Sequence, residues 1–309
     1  MKEITIATRG SKLALWQAEY IKTRLINRYP GLCVDLLVVK TTGDKIQDVP
    51  LAKVGGKGLF VKEIEEAIMH GRADLAVHSM KDVPAELPEG LKIGIIPERA
   101  SRYDLLLSEK YPDLATMPDG AVVGTSSLRR QAQIMYLRPD LKIRMLRGNL
   151  DTRLKKLREG MYDAIIAAEA GMRRMEFSTT YECELLPPYF LPAVGQGALG
   201  IEYSSQRPEL DELLGFMDHA PTRFCVICER AFLAELEGGC QVPIACLCLK
   251  ENNRLYATGL VSDVNGKTVI RRTMTGKPKD AEVMGIDLAR KVLEGGGREI
   301  LDQVYKFQD

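Results

Sequence analysis

Histidine is scarce in this chain: His70, His78 and His219 are the only three among 309 residues. They show neither H-x-x-x-H nor H-E-x-x-H spacing, so a histidine metal centre has no basis in the sequence. Long apolar runs are missing as well. A membrane-spanning helix needs about 20 predominantly apolar residues, and runs such as Ala164–Ala168 fall far short. The chain opens Met1-Lys2-Glu3-Ile4-Thr5-Ile6, which reads as a strand. It lacks the basic segment and apolar core of an export signal, and the expected location is the cytoplasm. Charge of one sign is not in excess either. Lys plus Arg number 43 and Asp plus Glu 42, a net charge of +1, which argues against a general nucleic-acid or anionic-membrane binder. Seven cysteines, an odd number, without an export signal argue for reduced thiols rather than a disulfide framework. No period of 20–50 residues and no low-complexity tract is visible.

What is present is an ordinary globular composition, 45% hydrophobic and 28% charged, at a length that fits two or three domains. Strand and helix patterns alternate over the first two thirds. Strands are expected at 3–8, 32–40, 74–78 and 91–96, with a helix capped by Ser11 running to about Tyr29. A second helix is expected from Phe60 to His70, stopped by Gly71. The pattern restarts near residue 100, with strands at 121–124, 143–146 and 162–168 and helices at 127–137 and 150–159. This predicts parallel sheets covered by helices on both faces. Pro187–Pro192 reads as a crossing segment. A helix at 221–236, strands at 242–249, 254–262 and 267–275 with short turns, and a helix near 280–294 predict a small antiparallel α+β domain.

In open α/β sheets, ligands bind beyond the carboxyl ends of strands. Those positions hold Thr8–Lys12, Ser79–Asp82, Thr125–Arg130 and Arg147–Asn149, with Arg153 one turn into the next helix. Residues 121–160 carry ten Lys or Arg against three acids, a local +7. Lys155, Lys156 and Arg158 lie mid-helix and read as a solvated face. Arg9, Arg129, Arg130, Arg147 and Arg153 sit at helix starts, where free N–H groups and the helix dipole favour anions and the guanidinium adds a planar fork. A small ligand with several negative groups is expected. Gly55-Gly56-Lys57-Gly58 lacks the spacing and the hydroxyl residue of a phosphate loop and reads as a flexible loop over the cleft. His78 reads as a half-buried, hydrogen-bonded residue. Cys225 and Cys228 have the spacing of half a zinc site but sit in an apolar helical pattern, and Cys246 and Cys248 share a strand face, so packing outweighs metal binding. Cys240 differs, since Gly238-Gly239 before it and Gln241-Val242-Pro243 after it set it in a tight loop, suited to a nucleophile or a covalent anchor. Asp82 is the one acid in a cationic cluster. It is either an ion-pair partner of Lys81 or a nearby arginine, or a carboxylate that stabilises a cation or moves a proton.

Seven stretches together resemble the hydroxymethylbilane synthase (porphobilinogen deaminase) family. They are Thr8–Ala14, Gly56–Glu63, Ala76–Pro84, Gly124–Arg130, Arg147–Arg153, Gly195–Gly200, and Glu229-Arg230 through Gly238-Gly239-Cys240-Gln241-Val242-Pro243-Ile244. Ala245 stands where the family usually has Gly, and Met172–Glu176 departs from its usual pattern. The resemblance implies an α/β fold of two periplasmic-binding-protein-like (type II) domains plus a small α+β C-terminal domain with a three-stranded antiparallel sheet. The implied division is 1–98 with 195–217, then 99–194, then 218–309, with the active site between the first two domains. It implies head-to-tail condensation of four porphobilinogen molecules into hydroxymethylbilane with loss of ammonia. A dipyrromethane cofactor would be held by a thioether to Cys240. Asp82 is implied as catalytic. Lys81, Asp82, Thr125, Ser126, Ser127, Arg129, Arg130, Arg147 and Gly148 are implied as cofactor-binding. Arg9, Ser11, Phe60, Arg147, Arg153 and Gln196 are implied as substrate-binding. No metal is implied; the expected state is a monomer that passes its product to uroporphyrinogen III synthase, without nucleic-acid or membrane partners. A solute-capture protein and a transferase for another polyanion are the rival readings of the same layout.

Overall fold

The structure is a computed structural model and describes residues 2–45, 61–237 and 242–306. By its packing the chain divides into two compact units. The described residues of the first are 2–45, 61–100 and 198–223, and those of the second are 101–197, 224–237 and 242–306.

The first unit is built on a five-stranded sheet of β1 (Glu3–Arg9), β2 (Cys33–Val39), β3 (Leu75–Ser79), β4 (Leu91–Ile95) and β10 (Leu199–Ser204), in the order β2-β1-β3-β10-β4. β1 runs parallel to β2 and β3, while β10 is antiparallel to β3 and β4. Alternation along β1 assigns its two faces. Ile4 and Ile6 pack with Ala18, Ile21 and Leu25 of α1 (Lys12–Arg28). Ala7 faces the other way, onto Ile64, Ala67 and Ile68 of α3 (Lys62–Met69), which follows a single helical turn, α2 (Thr42–Lys45). Ser11 caps α1 as expected, its hydroxyl accepting from Ala14 N at 3.3 Å. Gly71, at φ +67°, follows the end of α3 where a side chain would be strained.

The second unit has a matching arrangement, but its inner antiparallel strand comes first in the chain rather than last. β5 (Asp104–Ser108), β6 (Val122–Gly124), β7 (Lys142–Arg144), β8 (Ala164–Ala168) and β9 (Tyr181–Leu185) lie as β7-β6-β8-β5-β9, with β5 antiparallel to β8 and β9. α4 (Leu128–Leu137), α5 (Leu150–Arg158) and α6 (Glu169–Arg174) follow β6, β7 and β8. Each of the two sheets is mixed rather than parallel, unlike the parallel sheets that the alternation of strands and helices predicts. The antiparallel members β5 and β10, and the edge strand β9, are the elements that sequence periodicity passes over. β5 is buried along its whole length, so it carries no alternation to read. Pro187–Pro192 belongs to the second unit and is anchored there: Leu191 N donates to Gln133 Oε1 at 2.7 Å, and Phe190 and Leu191 are buried.

After α7 (Pro208–Leu214), α8 (Ala220–Glu235) contains the boundary between the units at Arg223. The antiparallel sheet β11 (Ile244–Glu251), β12 (Arg254–Ser262) and β13 (Val269–Gly276) follows, in that spatial order, as expected. α9 (Ala281–Val292) covers it, and α10 (Arg298–Lys306) adds a helix beyond the sequence expectation. Phe232, Cys246, Cys248, Met284 and Leu288 share its core. The Asn265-Gly266 turn lies against α4. At Gly266, with φ +68°, a Cβ would sit 2.3 Å from Ala132 O, so only glycine fits.

Candidate active site

β1 and β3 are parallel neighbours, so their carboxyl ends share one edge of the first sheet. β1 ends at Arg9, followed by the α1 cap Ser11. β3 ends at Ser79, followed by a 3₁₀ turn over Met80–Asp82. These ends open onto a solvent-open cleft. Arg9, Ser11, Gln17, His78, Ser79 and Asp82 supply its polar lining, and Leu13, Ala14, Val61, Ile64 and Val77 its apolar wall. Arg9 and Ser11 are half-buried and Asp82 is exposed, while Lys81 beside it is half-buried. Gln17 Nε2 donates to Ser79 Oγ at 2.9 Å, which fixes α1 against the end of β3. Sequence reasoning passed over Gln17; its signal is the three-residue step Ser11, Ala14, Gln17 along one helix face.

Behind the cleft lies a buried polar cluster. His78 is 6% exposed, more deeply set than the half-buried position expected, and its Nε2 lies 2.8 Å from Glu202 Oε2 on β10. Glu65 of α3 is buried as well. Its carboxyl is pushed up to about 7, chiefly by burial and then by the Glu202 charge, with His78 acting in the opposite sense.

In the second unit, Thr125, Ser126 and Ser127 join β6 to α4, and Arg147, Gly148 and Asn149 join β7 to α5. β6 and β7 are parallel neighbours, so these two helix starts share one sheet edge. Ser127 caps α4, accepting from Arg130 N at 3.4 Å, and Thr125 Oγ1 accepts from Ser127 N at 3.1 Å. Ser126 is exposed and Arg147 half-buried. Gly148 takes φ +112°, and its carbonyl accepts from Arg153 Nε at 2.8 Å. Lys155 is exposed and pairs with Glu159 at 3.7 Å, as a solvated face would, and Arg158 is exposed too. Lys156 is only half-exposed and donates to Arg147 O at 3.3 Å, which departs from the solvated-face reading.

Arg129 and Arg130 lie deeper than a ligand-lining position suggests, at 5% and 6% exposure. Both are held by Asp104, at 2.8 Å from Arg129 Nη1 and 2.6 Å from Arg130 Nη2. Burial alone would raise the Asp104 carboxyl, but the two guanidiniums outweigh it and hold the group well below the usual carboxylate range. Gln196 Nε2 completes the node, donating to Asp104 Oδ1 at 3.1 Å and to Arg102 O at 2.9 Å. Asp104 went unnoticed in the sequence, where it is one acid opening an apolar run. Glu229, fully buried, accepts from Gly195 N at 2.7 Å and from Cys248 N at 2.9 Å, tying the Gly195–Gly197 segment to β11.

Phe60, Cys240 and the Gly55–Gly58 loop lie outside the described residues. Cys225, Cys228, Cys246 and Cys248 are buried. Hydrogen bonding with the Cys225 and Cys228 thiols, and then burial, push the Cys248 thiol up, so it is an inert core group. Among the described residues no group of three or more His, Cys, Asp or Glu is arranged to hold a metal, and no helix is long and apolar enough to cross a membrane.

Two family models match the chain: "Porphobilinogen deaminase, dipyromethane cofactor binding domain" over residues 4–212, and "Porphobilinogen deaminase, C-terminal domain" over residues 223–294. The chain is 60% identical to the porphobilinogen deaminase of Nitratidesulfovibrio vulgaris (strain Miyazaki F), covering 99% of this chain and 98% of that one. It is 59% identical to that of Maridesulfovibrio salexigens, over 99% of both chains. Among solved structures, an ancestral cationic amino acid solute binding protein is similar at 14% identity and a TM-score of 0.44, over 70% of this chain and 88% of that chain. With both family models and full-length relatives in agreement, the chain belongs to the porphobilinogen deaminase family.

Proposed function

We propose that this chain condenses four porphobilinogen molecules head to tail into hydroxymethylbilane, releasing ammonia at each step, with Asp82 as the catalytic carboxylate and Cys240 as the thioether anchor of a dipyrromethane primer. The observation that carries the residue-level reading is one cleft lined by Asp82 together with Arg9 and Ser11. Each porphobilinogen brings an acetate and a propionate, which a guanidinium and a capping hydroxyl can bind. Departure of ammonia leaves a cation on the substrate. A carboxylate at the cleft stabilises that charge and can carry the proton that must leave after coupling.

The residues of the second unit fit a group with several carboxylates. Ser126 and Ser127 stand at the start of α4, and Arg147 and Gly148 precede α5, where helix N–H groups add to the positive potential. The Asp104, Arg129 and Arg130 node carries a net single positive charge beside them. When bound, the dipyrromethane supplies the free pyrrole carbon on which the chain grows. In this reading Thr125, Ser126, Ser127, Arg147 and Gly148 hold its carboxylates, while Arg129 and Arg130 act from behind, locked on Asp104. Arg153, through its bond to Gly148 O, and Gln196, through Asp104, are positioning residues. Phe60, outside the described residues, keeps the substrate-binding role that the family resemblance implies.

The three-domain division remains our assignment, with each domain built on one sheet. The six cysteines among the described residues are free thiols, which fits a reducing compartment, and we assign the cytoplasm. A monomer that hands its linear product to uroporphyrinogen III synthase completes the reading.

The test is Asp82→Asn. The amide keeps the shape but loses the charge and the exchangeable proton. Turnover of porphobilinogen should fall about 10²–10³-fold, with melting temperature and covalent cofactor retained. A variant that melts earlier yet turns over at a near-normal rate would show that Asp82 serves only as an ion-pair partner.

A further inference from the structure

We propose that the buried side chain of Met80, seated on the bare backbone of Gly200, sets the height of the turn that carries Asp82, which makes Met80 a positioning residue of the reaction. The inference rests on reading Asp82 as the catalytic carboxylate. Asp82 stands on no strand of its own. It ends a single 3₁₀ turn over Met80–Asp82, closed by Val83 N donating to Met80 O at a long 3.3 Å. Such a turn has about three residues per turn, so Met80 and Val83 share one side of it. Both are buried, Met80 at 1% exposure, while Asp82 is lifted out at the cleft. The turn therefore rests on two apolar feet, and the first of them decides where Asp82 begins.

The seat is cut by the sheet register. Leu199 of β10 lies opposite Ser79 and Gly200 opposite His78. The pairing continues past the end of β3, where Met80 N donates to Ala198 O at 3.0 Å. Leu199 and Ile201 pack with Val77 on the α1 side of the sheet. Alternation turns position 200 to the opposite face, the one on which His78 meets Glu202 at 2.8 Å. A Cβ built on Gly200 would overlap Met80 Sδ and stand 3.0 Å from Ile93 Cγ2 of the neighbouring β4. Glycine inside a strand gives up packing and marks a close approach. Here the approaching group is a thioether, a flexible side chain suited to an irregular gap. The strand before the turn is held separately, by Glu202 on His78 and by Gln17 on Ser79 at 2.9 Å. An added methyl at 200 therefore leaves β3 in place and displaces the enclosed sulfur, and the backbone of residues 80–82 moves with it.

The consequence separates chemistry from binding. Arg9 and Ser11, which meet the substrate carboxylates, stand on β1 and α1, and β1 lies two strands from β10. Loss of the seat is felt in the step that uses the Asp82 charge. The experiment uses the holoenzyme, with the primer-carrying fraction counted by intact mass, and measures kcat and KM for porphobilinogen in Gly200→Ala, Met80→Ala and the double variant. Gly200→Ala should lose about ten- to a hundredfold in kcat with KM within about twofold, since a small misplacement of a reacting group suffices for that. Met80→Ala empties the space that the new methyl takes, so the double variant should recover about fivefold or more over Gly200→Ala. A residue that served stability alone would lower the melting temperature without this kcat loss and its recovery. The crystal structure of Gly200→Ala should show the Met80–Asp82 turn displaced against an unmoved β3. A wild-type kcat in Gly200→Ala, or losses that simply multiply in the double variant, would overturn the proposal. Where Gly200→Ala does not fold, Met80→Ala decides alone: its kcat should fall about threefold or more at unchanged KM, and an unchanged kcat overturns the proposal. Failure of the site reading looks different: Asp82→Asn then remains active, whereas failure of the seat alone leaves that variant inactive while Gly200→Ala keeps the wild-type kcat.

Discussion

Asp104 decides the fate of two arginines. An arginine at a helix start favours anions, and Arg129 and Arg130 read as ligand-binding for that reason. The structure finds them an anion inside the protein, at 2.8 and 2.6 Å. Replacing that acid by Asn leaves two guanidiniums buried with neutral partners, and breaking such a pairing from one side costs about 3–5 kcal/mol. Asp104→Asn should therefore lower stability by that amount in denaturant titration, a larger loss than for any exposed carboxylate such as Glu159. The sign with pH follows from the depressed carboxyl. Its ionised form stabilises the fold above its ordinary value of 3.8, and that contribution is lost as pH falls below it. Glu65 behaves oppositely. With its carboxyl raised from 4.5 to about 7, its contribution is greatest below 4.5 and is lost as pH rises through 7. Neither acid stood out in the sequence, because a buried acid announces itself only through its surroundings, and these are distant along the chain: Arg129 and Arg130 hold Asp104, and the Glu202 charge adds to the rise of Glu65.

At the level of elements, helix starts and mid-helix positions divide the basic residues of α5. Arg147 precedes the helix beside Gly148, while Lys155 points to solvent and pairs with Glu159. Arg147→Leu should weaken primer assembly or chain elongation by the value of a charge-assisted bond, about 1.5–3 kcal/mol, or roughly ten- to more than a hundredfold in rate. Lys155→Ala should change the rate by less than about twofold, since surface ion pairs contribute little. Equal effects would mean that the anion site lies elsewhere. The elements most legible in the sequence were those with local signals. The Ser11 cap, the stop at Gly71 and the short turns between the last three strands all fall where residue chemistry put them. β5, β9 and β10 were not legible. Their places depend on pairing with strands far along the chain, and β5 and β10, buried almost throughout, carry no alternation.

For the whole molecule, the matching arrangement of parallel neighbours in the two larger sheets explains why the site residues were readable although some strands were not. Both sheets place a strand and its parallel neighbour so that their following loops share one edge, and those loops hold Arg9, Ser11 and Asp82 in one unit and Thr125–Ser127 and Arg147 in the other. Chemistry that depends on strand ends can be listed from sequence before the full sheet is known, whereas His78 and Glu202 meet only once β10 has returned to pair with β3. The account depends most on a primer anchored at Cys240. The intact mass of protein purified from cells that make porphobilinogen, beside that of Cys240→Ser, tests this most directly. The wild type should exceed its sequence mass by two linked pyrrole units and the variant should match its own sequence mass; an unmodified wild type, or the same added mass on both, would contradict the account.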